Sequence, residues 1–130
     1  MNQWTRCLIN GETLRKFYDG PPPLNDFELR ELRVDQRGPS CFFRGLMARF
    51  PDHPQPNWPE EADRLQIRFN LTSVEEFQAS GESAGGLVDL TIHRADDGFG
   101  VVIRAEGRDF HFEVQGIGLQ ILGIKPFANT

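Results

Sequence analysis

The stretch FPDHPQPNWPEEADRLQIRFNL, Phe50–Leu71, carries two kinds of information. Its first half holds Pro51, Pro54, Pro56 and Pro59, which lack amide donors and restrict the backbone, so it is neither helix nor central strand. Yet it also holds Trp58, one of only two tryptophans. A loose linker rarely keeps Trp, so this half reads as an ordered loop pinned by an aromatic. Trp58 is either a core anchor or an exposed contact, and Trp is enriched in both roles. The second half alternates cleanly. Leu65, Ile67, Phe69 and Leu71 share one side, and Arg64, Gln66, Arg68 and Asn70 the other, which is the period of a half-buried β-strand.

The same period continues downstream. Val88, Leu90 and Ile92 alternate with Asp89, Thr91 and His93. Val101, Ile103 and Ala105 alternate with Val102, Arg104 and Glu106, and Phe110, Phe112 and Val114 with His111, Glu113 and Gln115. Asp96-Asp97-Gly98 and Gly107-Arg108 read as the turns between these runs. A last segment runs from Leu119 and Ile121 to Ile124-Lys125-Pro126-Phe127. A short strand around 74–79 carries Val74 and Phe77, and a small-residue loop follows from Gly81 to Gly86. Upstream, 41–50 is the most apolar strand, with Gly45 at a bend. Residues 27–35 change phase between Phe27/Leu29 and Leu32/Val34, which one bulge would reconcile. Connections this short favour sequential antiparallel pairing.

Only the N-terminal segment departs from the β pattern. Asn10 as N-cap, Asp19-Gly20-Pro21 as stop, and Leu14, Phe17 and Tyr18 on one face predict a helix, with Ile9 and Leu14 at hydrophobic-staple spacing. Residues 3–8, with Trp4 and Leu8, predict an earlier short turn, and Pro21-Pro22-Pro23 an extended link. The expected fold is α+β: an N-terminal helical segment packed on a strongly curved, mostly antiparallel sheet of about 7–8 strands. The sheet would curl toward a barrel or split into a sandwich, within a single domain over residues 1–130.

A chain of 130 residues buries a core without metals or disulfides. No apolar run is long enough to span a bilayer, and the N-terminus does not read as a signal peptide. Cys7 and Cys41 read as two reduced, buried thiols of a cytoplasmic protein. Charge is uneven. Between Pro51 and Asp97, ten acids face three arginines, a net −7, which leaves +2 for the rest of a chain of net −5. An acidic centre argues against nucleic acid as partner, which requires cations facing phosphate. It suits a basic protein partner or, equally, scattered solubilising charge.

Catalytic and cofactor chemistry find no support. His93, His111 and Glu113 fall on polar strand faces, where a surface metal site is geometrically conceivable, but their spacing is no established ligand pattern. Ser40-Cys41 lacks a nucleophile-elbow context, and no His is placed beside Cys7. Glu75 and Glu76 point to opposite faces of a strand and cannot share acid–base work. Asp96-Asp97-Gly98 lacks the later ligands of a calcium loop. The Phe-rich strands read as core, since no positive groove accompanies them.

One family fits these features in order. They are Trp4 ahead of Leu14 to Tyr18, the proline link ending at Leu24, Phe50-Pro51, Pro56 and Trp58, the strand Leu65 to Leu71, Val74 to Gly81, and the terminal Ile124, Pro126 and Phe127. With these the chain resembles the immunity protein 50 family of bacterial polymorphic-toxin systems, over nearly its whole length. The resemblance implies a non-enzymatic cytoplasmic protein that neutralises a cognate toxin domain by stoichiometric docking, with no cofactor, metal, nucleic acid or membrane. It carries no contact residues. From charge alone, the expected partner-binding residues are Asp52, Glu60, Glu61, Asp63, Glu75, Glu76, Asp96 and Asp97. The competing reading is a small-ligand-binding, β-barrel-like protein.

Overall fold

A computed structural model describes residues 4–81, 86–105 and 109–128. It contains eight strands: β1 (Phe27–Asp35), β2 (Ser40–Leu46), β3 (Arg64–Thr72), β4 (Glu76–Ser80), β5 (Gly86–Ala95), β6 (Gly98–Ala105), β7 (His111–Gly116) and β8 (Gly118–Phe127). They form one antiparallel sheet in the order β4-β7-β6-β5-β1-β2-β3-β8. The expected strand number and direction hold. Three expectations do not. The fold is mostly β rather than α+β, because the N-terminal segment forms only two 3-10 turns, Trp4–Cys7 and Gly11–Lys16. The sheet is not strongly curled or closed, and β4 and β8 are its two edges. Pairing is sequential for β1–β2–β3 and β5–β6–β7, but β4 pairs with β7, β8 with β3, and β1 with β5.

The order falls into two four-stranded halves, β4-β7-β6-β5 and β1-β2-β3-β8. A ladder of three pairs, Phe27–Leu29 against Gly86–Val88, joins them. The inward side chains of both halves form one core, with Phe43, Ile67, Phe69, Leu71, Val88, Ile103 and Val114 completely buried. Two short links also carry the chain from one half to the other: Ser73–Glu75 from β3 to β4, and Ile117 alone from β7 to β8. The Ile117 N–H donates to the Thr72 carbonyl (2.9 Å) and the Glu75 N–H to the Gln115 carbonyl (2.9 Å), which ties the links together at one corner. Ser73 turns this corner at φ 52°, in the left-handed region.

The phase change in β1 is a bulge, with register shifting between Leu29 and Glu31. Gly45 lies opposite Leu29, and a Cβ there would run into the Phe27 ring and the Glu28 carbonyl, so the bulge closes only over glycine. β2 ends at Leu46 rather than at residue 50, although Met47 N–H still reaches the Leu65 carbonyl (2.9 Å). Gln66, expected outward and solvated, is buried under Arg44, whose Nη1 donates to Gln66 Oε1 at 3.3 Å. The Asp96-Asp97 turn joins β5 to β6 as expected. The Gly107-Arg108 turn and most of the Gly81–Gly86 loop lie outside the described residues.

The 3-10 turns act as a plug. Trp4 is buried, donates from Nε1 to the Pro22 carbonyl (2.9 Å) and meets Phe69 edge-on at 6.1 Å. Asn10 makes no side-chain cap. Its amide instead pairs with both backbone groups of Ile121: Nδ2 donates to the carbonyl (2.8 Å) and Oδ1 accepts from the N–H (2.9 Å). Leu8 forms a parallel bridge with Leu119, and Ile9 N–H donates to the Leu119 carbonyl (2.8 Å). Residues 8–10 thereby cover the first half of the β8 edge. Ile9 itself is 67% exposed, so no staple to Leu14 forms.

The Phe50–Trp58 loop is clasped as its composition predicts. Trp58 stacks on Phe17 (centroids 5.5 Å, 16°) and meets Phe50 edge-on (6.3 Å). It is half-buried, packed against the core from outside it. His53 N–H donates to the Phe17 carbonyl (3.0 Å), and the Tyr18 hydroxyl to the Arg49 carbonyl (2.6 Å). Among the described residues, no helix is long and apolar enough to cross a membrane.

Candidate partner-binding site

The eight acids singled out by charge divide into three groups. Asp52 belongs to the clasp: its carboxylate accepts from the Asp19 N–H (3.0 Å) and pairs with Arg49 (2.5 Å). These contacts, the backbone one first, hold its carboxyl below the ordinary range. The neighbouring His53 imidazole is hydrogen-bonded to the Asp19 carboxylate, which raises its pKa. Glu60 and Glu61 are exposed on the loop leading into β3, and Asp63 anchors that loop through its N–H to the Phe127 carbonyl (3.1 Å).

The third group gathers at the corner of the two links. Glu75, Asp96 and Asp97 line one shallow concavity of about 300 Å³ with His93, Gln115 and Gly116. Glu76 follows Glu75 onto β4. The strand order brings them together: β4 pairs with β7, β7 with β6, and the Asp96-Asp97 turn opens β6. Beside them Ile117 is 45% exposed, its Cα 3.1 Å from where a Cβ on Gly98 would sit. Phe77 on β4 is 46% exposed, its ring tilted 6.3 Å from Phe112. Sequence reading placed Phe77 on a strand but gave no sign of its exposure, which comes from β4 being an edge. Ile117 had no signal, because nothing marked the change of halves at that residue.

Part of the charge elsewhere on the sheet is matched. On the outer face of β1–β3, Glu28 pairs with Arg30 (2.5 Å) and Arg64 (3.7 Å), and Glu31 with Arg33 and Arg44 (3.1 Å each). Arg33 also covers the Phe42 ring at 4.8 Å. Among the described residues, Glu60, Glu61, Glu75, Glu76, Asp96 and Asp97 have no such counter-ion. Like charges left unmatched repel one another, and an approaching cation relieves that repulsion.

His111 lies 3.8 Å from Glu113, while the His93 ring packs over Gly100. Among the described residues, no three His, Cys, Asp or Glu side chains are grouped to hold a metal ion. Both thiols are buried; burial pushes Cys41 up to about 12 and raises Cys7 against a smaller opposing pull from Arg94. Neither is poised as a thiolate nucleophile.

The family model described as immunity protein 50 matches residues 10–127. The chain belongs to the immunity protein 50 family. No curated protein and no solved structure matches it. Immunity proteins are generally non-enzymatic, and membership points to a cognate toxin as partner. The match begins at Asn10, the residue that caps the β8 edge, and ends at Phe127, the last residue of β8. It therefore takes in the whole sheet.

Proposed function

We propose that this immunity protein acts as one domain in the bacterial cytoplasm, where it neutralises a cognate toxin domain by direct stoichiometric binding. We further place the docking surface at the acidic corner of Glu75, Glu76, Asp96 and Asp97. The observation that carries this reading, in a chain of an immunity protein family, is a contrast in charge pairing: Glu28 and Glu31 on the outer face of β1–β3 have arginine partners, and the acids of the corner have none among the described residues. Unmatched acids around exposed Phe77 and Ile117 combine long-range steering with apolar contact area, the division of labour expected of a protein interface. Asp52 is excluded from the docking set because its carboxylate is engaged in the clasp. Glu60, Glu61 and Asp63 form a second, separate acidic stretch.

The test is titration of the chain with the toxin domain encoded beside its gene. The triple variant Glu75→Gln/Asp96→Asn/Asp97→Asn should slow association and flatten its salt dependence, while Glu60→Gln/Glu61→Gln should have the smaller effect. Unchanged affinity of the triple variant at low salt would remove the corner from the interface. The small-ligand alternative gains nothing, since the space a barrel would enclose is filled by completely buried side chains.

A further inference from the structure

The two edges of the sheet are treated differently. β8 is guarded over its first half, where Leu8 and Ile9 pair with Leu119 and the Asn10 amide occupies both backbone groups of Ile121, and Pro126 near its end lacks an amide donor. Nothing among the described residues covers the outer side of β4. Its five residues, Glu76 to Ser80, are all exposed, and they pair only with β7. β4 contains no proline and no lysine, and neither β4 nor β7 carries an arginine or lysine. Successive side chains on this edge alternate in character. Glu76 and Gln78 lie on the outer face with Glu113 and Gln115 of β7, and Phe77 and Ala79 lie on the inner face with Phe112 and Val114.

We infer that the open edge of β4 is where the toxin docks, by adding an extended segment of its own as a ninth, antiparallel or parallel strand. The segment must alternate basic and apolar side chains: basic ones across from Glu76 and from Gln78, behind which Glu113 of β7 lies, and apolar ones against Phe77. Backbone hydrogen bonds to β4 supply affinity, and the alternation supplies specificity. The acids of the corner, Glu75, Asp96 and Asp97, lie at the start of β4 and draw the segment into register. A second copy of this chain is disfavoured in the same place, since it brings the same acids and a net charge of −5. The inference rests on the immunity reading.

Hydrogen exchange of the full chain, alone and saturated with the inactivated toxin domain encoded beside it, tests this together with a proline scan. Successive amides of β4 point alternately toward β7 and toward the open side. Of Gln78→Pro and Ala79→Pro, one therefore removes a β7 bond and unfolds the edge, and the other leaves the fold intact by circular dichroism. The expected result is slowed exchange of outward β4 amides in the complex, and a loss of affinity of at least about fivefold for the folded proline variant, the worth of one backbone hydrogen bond. A complex that forms with β4 exchange unchanged, or that tolerates the folded proline variant, overturns the inference and leaves the immunity reading standing. A chain that dimerises alone with β4 protected assigns the edge to a second copy and overturns it too. Absence of any complex overturns both readings.

Discussion

Removing Trp58 tests the clasp most directly. Its indole stacks on Phe17 and meets Phe50 edge-on while remaining half-buried. Each ring contact contributes about 0.5–1.5 kcal/mol beyond area burial. Losing roughly half the burial of a large aromatic adds about 1–2 kcal/mol. Trp58→Ala should therefore cost about 2–5 kcal/mol, at most what truncating a fully buried aromatic costs. For a chain of this length that lowers the melting temperature by about 6–20 °C. Urea unfolding measures the loss, and a double-mutant cycle with Phe17→Ala isolates the stack, with an expected coupling of about 1 kcal/mol. A loss under about 0.5 kcal/mol, the range of ordinary surface positions, refutes the clasp. So does zero coupling to Phe17.

Three further outcomes follow from the same contacts. Asn10→Ala should destabilise by about 1–3 kcal/mol in urea unfolding, because it strands both backbone groups of Ile121; Asn10→Asp should not rescue, since a carboxylate cannot donate to the Ile121 carbonyl. Gly45→Ala should cost about 1–3 kcal/mol or more by the same assay, since the added methyl meets the Glu28 backbone carbonyl as well as the Phe27 ring. The two titrating groups of the clasp act at opposite ends of the pH scale. The raised pKa of His53 gives stability that is full below the free-histidine value of about 6.5 and is lost as pH rises through the folded value. The lowered pKa of Asp52 gives stability that is present above the free-aspartate value of about 3.9 and is lost as pH falls through the folded value. Melting temperatures of Asp19→Asn and wild type should thus converge on the alkaline side, and those of Asp52→Asn and wild type on the acid side.

Most of the β content was legible because half-buried strands write a period of two into the sequence. In β3 every residue of the Leu65–Leu71 apolar set is completely buried. Even the β1 bulge was readable, since one extra residue inverts the phase of everything after it. The N-terminal helix was misread for a physical reason. Only Gly11–Lys16 is available between the bridge to β8 and the link, too short for an α-helix to repay its nucleation, and tertiary contact with Ile121 took the Asn10 side chain away from capping. The acidic corner was half legible. The acids were visible, but Glu75 and Asp96 meet only because β4 pairs with β7 and β7 with β6, and strand order is not a local property. The arginine and amide partners of Asp52 lie in contacts no charge count reveals.

The exchange of strands between halves sets the order in which the molecule can be completed during synthesis. Of the eight strands, β1, β2 and β3 leave the ribosome first and can pair as consecutive hairpins, but the neighbour that closes the outer side of β3 is β8, the last of the eight. β4, made early, waits for β7. The half β1-β2-β3-β8 therefore stays unfinished after the other is complete, and a nascent chain halted before Gly118 presents the bare edge of β3, with Phe69 and Leu71 behind it. Closure of the β3 edge is thus a property that arrives late and all at once, with the ten residues of β8.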